Sequence, residues 1–234
     1  MWTEIRKPFY NLYRRWFGTY TLDDPRIVQK EAPYTFFLPS QREIDSVRPD
    51  DVVKLIFRSE PQGLDYGAER MWVIVKEVTP DGLIGTVDNH PFDMPQLKAG
   101  ATVHFQPYNI ISVKLYGHRE DEEPEQKSFL DRCMVDRCVT EDKVPVYYLY
   151  REEPDLGLDD DKYPDSGWRI RGDYRNMSDE ELDARTAQYI ALGKVLNADD
   201  SWLHLIDAPI GSAFMRNFET GEYEPYDRDA DNDD

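Results

Sequence analysis

From residue 47 to residue 116 the apolar side chains recur at every second position or in short continuous runs, each run closed by a turn signal. That pattern restricts the segment to strands. Candidate strands cover 52–58, 70–78, 83–87 and 102–115, the last broken near Pro107 because proline cannot donate to a ladder. Pro80-Asp81-Gly82 reads as a hairpin turn, since Asp-Gly accepts the positive φ that tight turns demand. The expected product is a small antiparallel β domain, a sheet or partial barrel over 47–118.

The 46 residues before it read as an aromatic arm. Trp2, Ile5, Phe9, Leu12, Tyr13 and Trp16 recur at helical spacing, Pro8 suits a first helical turn, and Arg14 and Arg15 flank the apolar face. The apolar face is expected to pack on the following domain. A basic, aromatic segment of this kind could also lie on a membrane surface, which makes residues 1–20 a weak route to one.

Charge divides the chain. Of the 234 residues, those up to His118 hold 15 acids against 14 bases, while those from Arg119 hold 32 against 14, so nearly all of the net −19 belongs to the second half. Such asymmetry calls for a basic partner and disfavours nucleic acid and anionic membranes. Residues 119–128 form a solvated linker around Pro124, and 227–234, with five aspartates, read as a disordered tail. No apolar window suits a signal peptide or a membrane span, so a cytoplasmic location is expected.

The acidic domain over 129–226 opens with strands at 132–139 and 144–151, joined through Thr140-Glu141-Asp142-Lys143 as a hairpin, and a further strand lies near 167–171. Ser178 and Glu181 make a capping box for one longer helix, on which Leu182, Thr186, Tyr189, Gly193 and Leu196 share a face. Gly193 in that face suggests close approach of a neighbouring strand. A short helix around Trp202, Leu203 and Ile206 and a strand at 212–218 complete the domain. Cys133 and Cys138, five positions apart, would face opposite sides of one strand and read as buried small hydrophobes, unpaired. The whole is α+β, two small domains each with an antiparallel sheet.

Two resemblances add to this. Glu69-Arg70-Met71-Trp72-Val73-Ile74-Val75, Gly82, Gly85, Asn89-His90-Pro91, Leu97-Lys98-Ala99-Gly100 and Val103-His104-Phe105 are similar to domain-of-unknown-function family twenty-three-fourteen, which implies a fold unit and no chemistry. Tyr150-Arg151-Glu152-Glu153, Asp165-Ser166-Gly167-Trp168-Arg169, Val195-Leu196-Asn197 and Asp207-Ala208-Pro209-Ile210-Gly211-Ser212-Ala213-Phe214 resemble, in order and spacing, the bacterial immunity protein thirty-three family over about 133–224. That resemblance implies a cytoplasmic protein of a polymorphic toxin system that binds a toxin and blocks it.

Catalytic readings fail on the residues. Ser212 lacks the flanking glycines of a nucleophile elbow, since Ile210 and Phe214 stand there. No Walker loop, dinucleotide fingerprint or His-Glu-x-x-His helix occurs. His90, between Asn89 and Pro91, reads as a turn residue. A calcium loop begun at Asp155 would place Asp160 where glycine is needed and Ser166 where the final glutamate belongs. The expectation is therefore a binding protein with no catalytic residues, cofactor or metal. Its candidate contact set for a basic toxin, most readily a nuclease, is Glu152, Glu153, Asp159, Asp160, Asp161, Tyr163, Asp165, Trp168 and Asp173. A regulatory adaptor for a small ligand or peptide is the other reading.

Overall fold

The computed structural model describes residues 2–116, 127–157 and 162–228, with side chains from residue 8 onward. The expected linker and acidic tail fall mainly outside the described residues, as do Asp159, Asp160 and Asp161. The chain divides into two compact units: Met1–Glu31 with Phe36–Glu125, and Ala32–Thr35 with Gln126–Asp234. Each carries its own sheet and few helices, an α+β architecture.

In the first unit come α1 (Trp2–Phe17), β1 (Thr19–Leu22), α2 (Pro25–Glu31), α3 (Gln41–Asp45), β2 (Val52–Glu60), β3 (Ala68–Thr79), β4 (Gly82–Val87), β5 (Thr102–Phe105) and β6 (Ser112–Lys114). The sheet runs β1-β2-β3-β4-β5 with β6 on β2, all antiparallel. Alternation supplies one buried face: Val53, Leu55 and Phe57 on β2 meet Met71, Val73 and Val75 on β3, with Val103 and Phe105 from β5. Pro107 opens a 3₁₀ turn that separates β5 from β6, and Gly82 closes the β3–β4 turn at φ 134°. β1, absent from the sequence reading, lengthens the sheet edge by pairing Thr19–Leu22 with Phe57–Glu60.

α1 overturns two expectations. It begins at Trp2, so Pro8 lies inside the helix and one backbone hydrogen bond is missing there. Its aromatic row is also outward: Phe9, Leu12, Tyr13 and Trp16 are exposed, and the side turned inward carries Arg14, which has no exposed surface. Arg14 donates to Asp93 at 2.6 Å and to the Ser59 hydroxyl at 3.0 Å, and also to the Asp93 carbonyl. A buried carboxylate needing a cation takes precedence over the aromatic stripe.

The second unit holds β7 (Arg132–Asp136), α4 (Arg137–Glu141), β8 (Val146–Arg151), β9 (Asp165–Gly172), α5 (Asp179–Asp183), β10 (Ala187–Ala191), α6 (Leu192–Leu196), β11 (Ala213–Arg216) and β12 (Tyr223–Pro225). Its strand order is β10-β7-β9-β8-β11-β12. β7 and β9 are parallel and every other pair is antiparallel, so the sheet is mixed. The expected β7–β8 hairpin does not form: both strands flank β9, and α4 lies between them in the chain. Cys138 consequently sits on α4 instead of a shared strand, only partly buried, while Cys133 is fully buried; both are free thiols.

The long helix expected from Ser178 is broken. The capping box forms, with Glu181 N–H donating to the Ser178 hydroxyl, but α5 ends at Asp183. Ala187–Ala191 instead pairs with Asp136–Arg132 as an edge strand. Leaving that edge of β7 without a partner would leave its backbone groups unsatisfied, a cost that outweighs helical spacing. Gly193 does mark a close approach, to the Tyr34 carbonyl, which a Cβ would meet at 2.7 Å, and not to a strand. The core gathers Cys133, Val135, Leu149, Ile170, Val195 and Leu196 around Trp168 and Trp202, whose rings lie 5.7 Å apart.

Candidate functional site

The four sequence pieces that carry the immunity resemblance converge in the second unit, and backbone hydrogen bonds join three of them. Arg151 N–H donates to the Ser212 carbonyl at 2.8 Å, Gly211 N–H to the Arg151 carbonyl at 2.7 Å, and Glu152 N–H to the Gly167 carbonyl at 3.0 Å. The Arg151 guanidinium reaches the Ala208 and Ser166 carbonyls at 2.7 and 3.0 Å. Gly167 holds φ at 80°, and a Cβ there would strike the Glu152 carbonyl at 2.1 Å. Asn197 accepts from Tyr34 N–H and donates to Thr35, tying residues 32–35 to this unit. These residues build the frame.

Several of the expected contact carboxylates are engaged internally. Arg169 on β9 is 7% exposed and is surrounded by Glu152 at 2.5 Å, Asp155 at 2.9 Å and Asp165 at 2.8 Å. Asp165 also accepts from the backbone N–H groups of Gly167 and Leu156. Burial alone would raise its carboxyl; the Arg169 guanidinium and those two donors outweigh burial and hold it below the usual carboxylate range. The same hydrogen bonds, Asp165 first and Glu152 next, push the Arg169 guanidinium up. Asp165 and Trp168 are buried, so neither offers a surface to a partner, and Trp168 spends its indole N–H on the Ile206 carbonyl at 3.2 Å.

The remaining members are scattered. Glu153 is exposed and Tyr163 half-buried, beside the Lys162 ammonium at 5.3 Å. Asp173 is bonded by both Nε and Nη2 of Arg175 at 2.9 Å, which lowers its carboxyl. Asp159, Asp160 and Asp161 belong to residues 158–161, outside the described set. The structure thus gathers Glu152, Asp155 and Asp165 around one cation and does not bring Asp173 to them.

Strand register reveals a surface the sequence reading missed. Tyr148 lies opposite Arg171, Tyr150 opposite Arg169, and Met215 opposite Tyr148, so these side chains share the face turned away from the Trp168 core. Tyr148, Tyr150, Arg171, Tyr174 and Arg228, with Leu182 and Asp183, line a concavity of about 500 Å³ on it. The Tyr148 ring sits 5.5 Å from Tyr150 and from Tyr226, and the Arg228 guanidinium lies 4.2 Å over Tyr150. Alternating Tyr148 and Tyr150 around buried Leu149 was a legible signal for a two-sided strand; the contributions of Tyr174 and Arg228 depend on tertiary placement.

Among the described residues there is no group of three His, Cys, Asp or Glu side chains placed to hold a metal, and no helix long and apolar enough to cross a membrane. No curated protein and no solved structure matches the chain. Residues 133–227 match the family model of the immunity protein Imm33 domain, and that match points to an immunity function through binding of a cognate toxin.

Proposed function

We propose that this protein is an immunity protein that acts in the cytoplasm by binding and neutralising a cognate bacterial toxin, a basic nuclease being the class its charge fits. The observation that carries the reading is the domain match over 133–227. Charge supports the partner class: the half from Arg119 onward holds 32 acids against 14 bases. A field of that sign raises the on-rate of a basic partner by factors of about 10 to 1,000 at low salt. A nuclease is basic where it holds phosphates, so carboxylates can stand in for them.

Within that reading Glu153 and Asp173, with Asp159, Asp160 and Asp161, supply the acidic approach surface and Tyr163 an apolar anchor, while Glu152 and Asp165 contribute through the Arg169 cluster that orders the loop. We also infer that residues 47–116 are related to domain-of-unknown-function family twenty-three-fourteen, a reading that rests on the sequence pieces from Glu69 to Phe105 and assigns no chemistry. The test is co-expression with the products of the genes that flank this one, any toxin-like product first. Co-purification together with rescue of growth is expected; failure of both would overturn the proposal.

A further inference from the structure

On the open face of the second sheet one arginine, Arg171, is only partly engaged by a carboxylate. Asp136 is buried and accepts three donors: Arg185 at 2.8 Å, Gly172 N–H at 3.1 Å and Nε of Arg171 at 3.1 Å. Only Nε of Arg171 is used in this way. Its side chain is 46% exposed, and its two terminal nitrogens have no hydrogen-bond partner among the described residues. They stand at a concavity of about 500 Å³ lined also by Tyr148, Tyr150, Tyr174, Leu182, Asp183 and Arg228, where the guanidinium groups of Arg171 and Arg228 outnumber the one carboxylate. Arg169 is ringed by three carboxylates, whereas Arg171, next on the same face of β9, shares the single carboxylate of Asp136 with Arg185 and keeps its terminal nitrogens unused.

We propose that this concavity anchors a carboxylate side chain of the toxin, held by the Arg171 terminal nitrogens and packed between tyrosine rings. The inference rests on the immunity reading and deepens it. A guanidinium with two adjacent donors matches a carboxylate in two parallel hydrogen bonds. Arginine and tyrosine are the side chains that concentrate binding energy at interface centres. A polyanion is disfavoured here because the surrounding half is strongly acidic, whereas a single carboxylate on an otherwise basic protein meets that field at little cost. Long-range attraction then sets the rate of capture, and this contact sets register and residence time.

The test uses the 234-residue chain and whichever flanking gene product co-purifies with it as the toxin, followed by biolayer interferometry. Arg171→Ala and Tyr150→Ala are each expected to raise the dissociation rate about 30-fold, the size of a central anchor, with the association rate within about twofold of the parent. Arg171→Lys, which keeps the charge and loses the fork, should recover only part of the loss. Far-ultraviolet circular dichroism and the unfolding midpoint verify each fold, and Arg228→Ala, outside every strand, gives an independent reading of the same concavity. Toxin binding by the parent with dissociation rates unchanged in all four variants would overturn the anchor while leaving the immunity reading intact. No binding by the parent would overturn that reading and the anchor with it. Arg171-dependent binding of an RNA oligonucleotide or of a second copy of this chain, in place of the toxin, would also overturn it.

Discussion

Each unit is organised by a buried arginine, and the two arginines do different work. Arg14 projects from a helix into the first unit and holds one carboxylate, Asp93, which also accepts from the N–H groups of Asp65 and Tyr66 at 2.7 and 3.1 Å. Arg169 projects from a strand and gathers three carboxylates from a loop and from its own strand. The first is a clip that fastens α1 by its polar side and leaves an aromatic row outside. The second is a hub that orders the segment after β8, takes Asp165 out of the surface pool and ties down Glu152 and Asp155 at its rim. Charge counts alone cannot separate these roles, because an acid that balances an interior cation and an acid that faces water are the same letter.

The largest expected effect comes from removing the hub. Arg169→Met leaves Asp165, whose side chain is 1% exposed, without its cation, and should cost about 3–5 kcal/mol in urea unfolding of the second unit. A loss below about 1 kcal/mol would mean that the three carboxylates are solvated in spite of their geometry. Removing the clip should cost less. Both buried carboxylates keep two backbone donors, but Arg14→Met strips one carboxylate of its cation where Arg169→Met strips three, so about 1–3 kcal/mol is expected. Hydrogen exchange should show protection lost in α1 and unchanged in β7 to β12; loss of protection in both units would end the distinction between clip and hub.

Acid probes both arginines at once. Asp93 and Asp165 have carboxyls lowered from an unfolded value of 3.8; burial opposes that shift in each, and the facing guanidinium and backbone donors outweigh it. A carboxyl lowered on folding stabilises the protein at pH above its unfolded value, and that contribution is lost as pH falls through the folded one. Unfolding midpoints should therefore hold between about pH 7 and 5 and fall below about pH 4. In Arg169→Met the acid-sensitive contribution of the second unit should be reduced while that of the first persists. The smallest effect is Asp155→Asn: at 71% exposure its ion pair is worth less than about 1 kcal/mol, and a larger loss would show the loop to be held more tightly than its exposure implies.

The same comparison explains what was legible beforehand. Alternation gave the first sheet, the interruption at Pro107 and the turn at Gly82, because each is set by local chemistry. The capping box at Ser178 and Glu181 was equally local, and it formed. Where helical spacing competed with the unfilled edge of β7, Ala187–Ala191 became strand, a result decided by a partner some fifty positions earlier in the chain. The inward turn of Arg14 had no local signal, since Phe9, Leu12, Tyr13 and Trp16 have the spacing of a core-facing helix. Arg169 did have one: a single cation between Trp168 and Ile170 in an apolar strand marks a buried charge that must recruit acids. Reading it would have reassigned Glu152 and Asp165 from surface to frame, and alternation through Tyr148, Leu149 and Tyr150 would have drawn attention to the face opposite the core.

The sharpest experiment titrates the toxin that co-purifies with this protein, taken from the products of its flanking genes, with the 234-residue chain while the toxin's own activity is followed at low and high salt. The account predicts saturable binding that removes toxin activity in step with occupancy, with association slowing as salt rises. Full toxin activity at saturating protein, or no binding at either salt concentration, would contradict it.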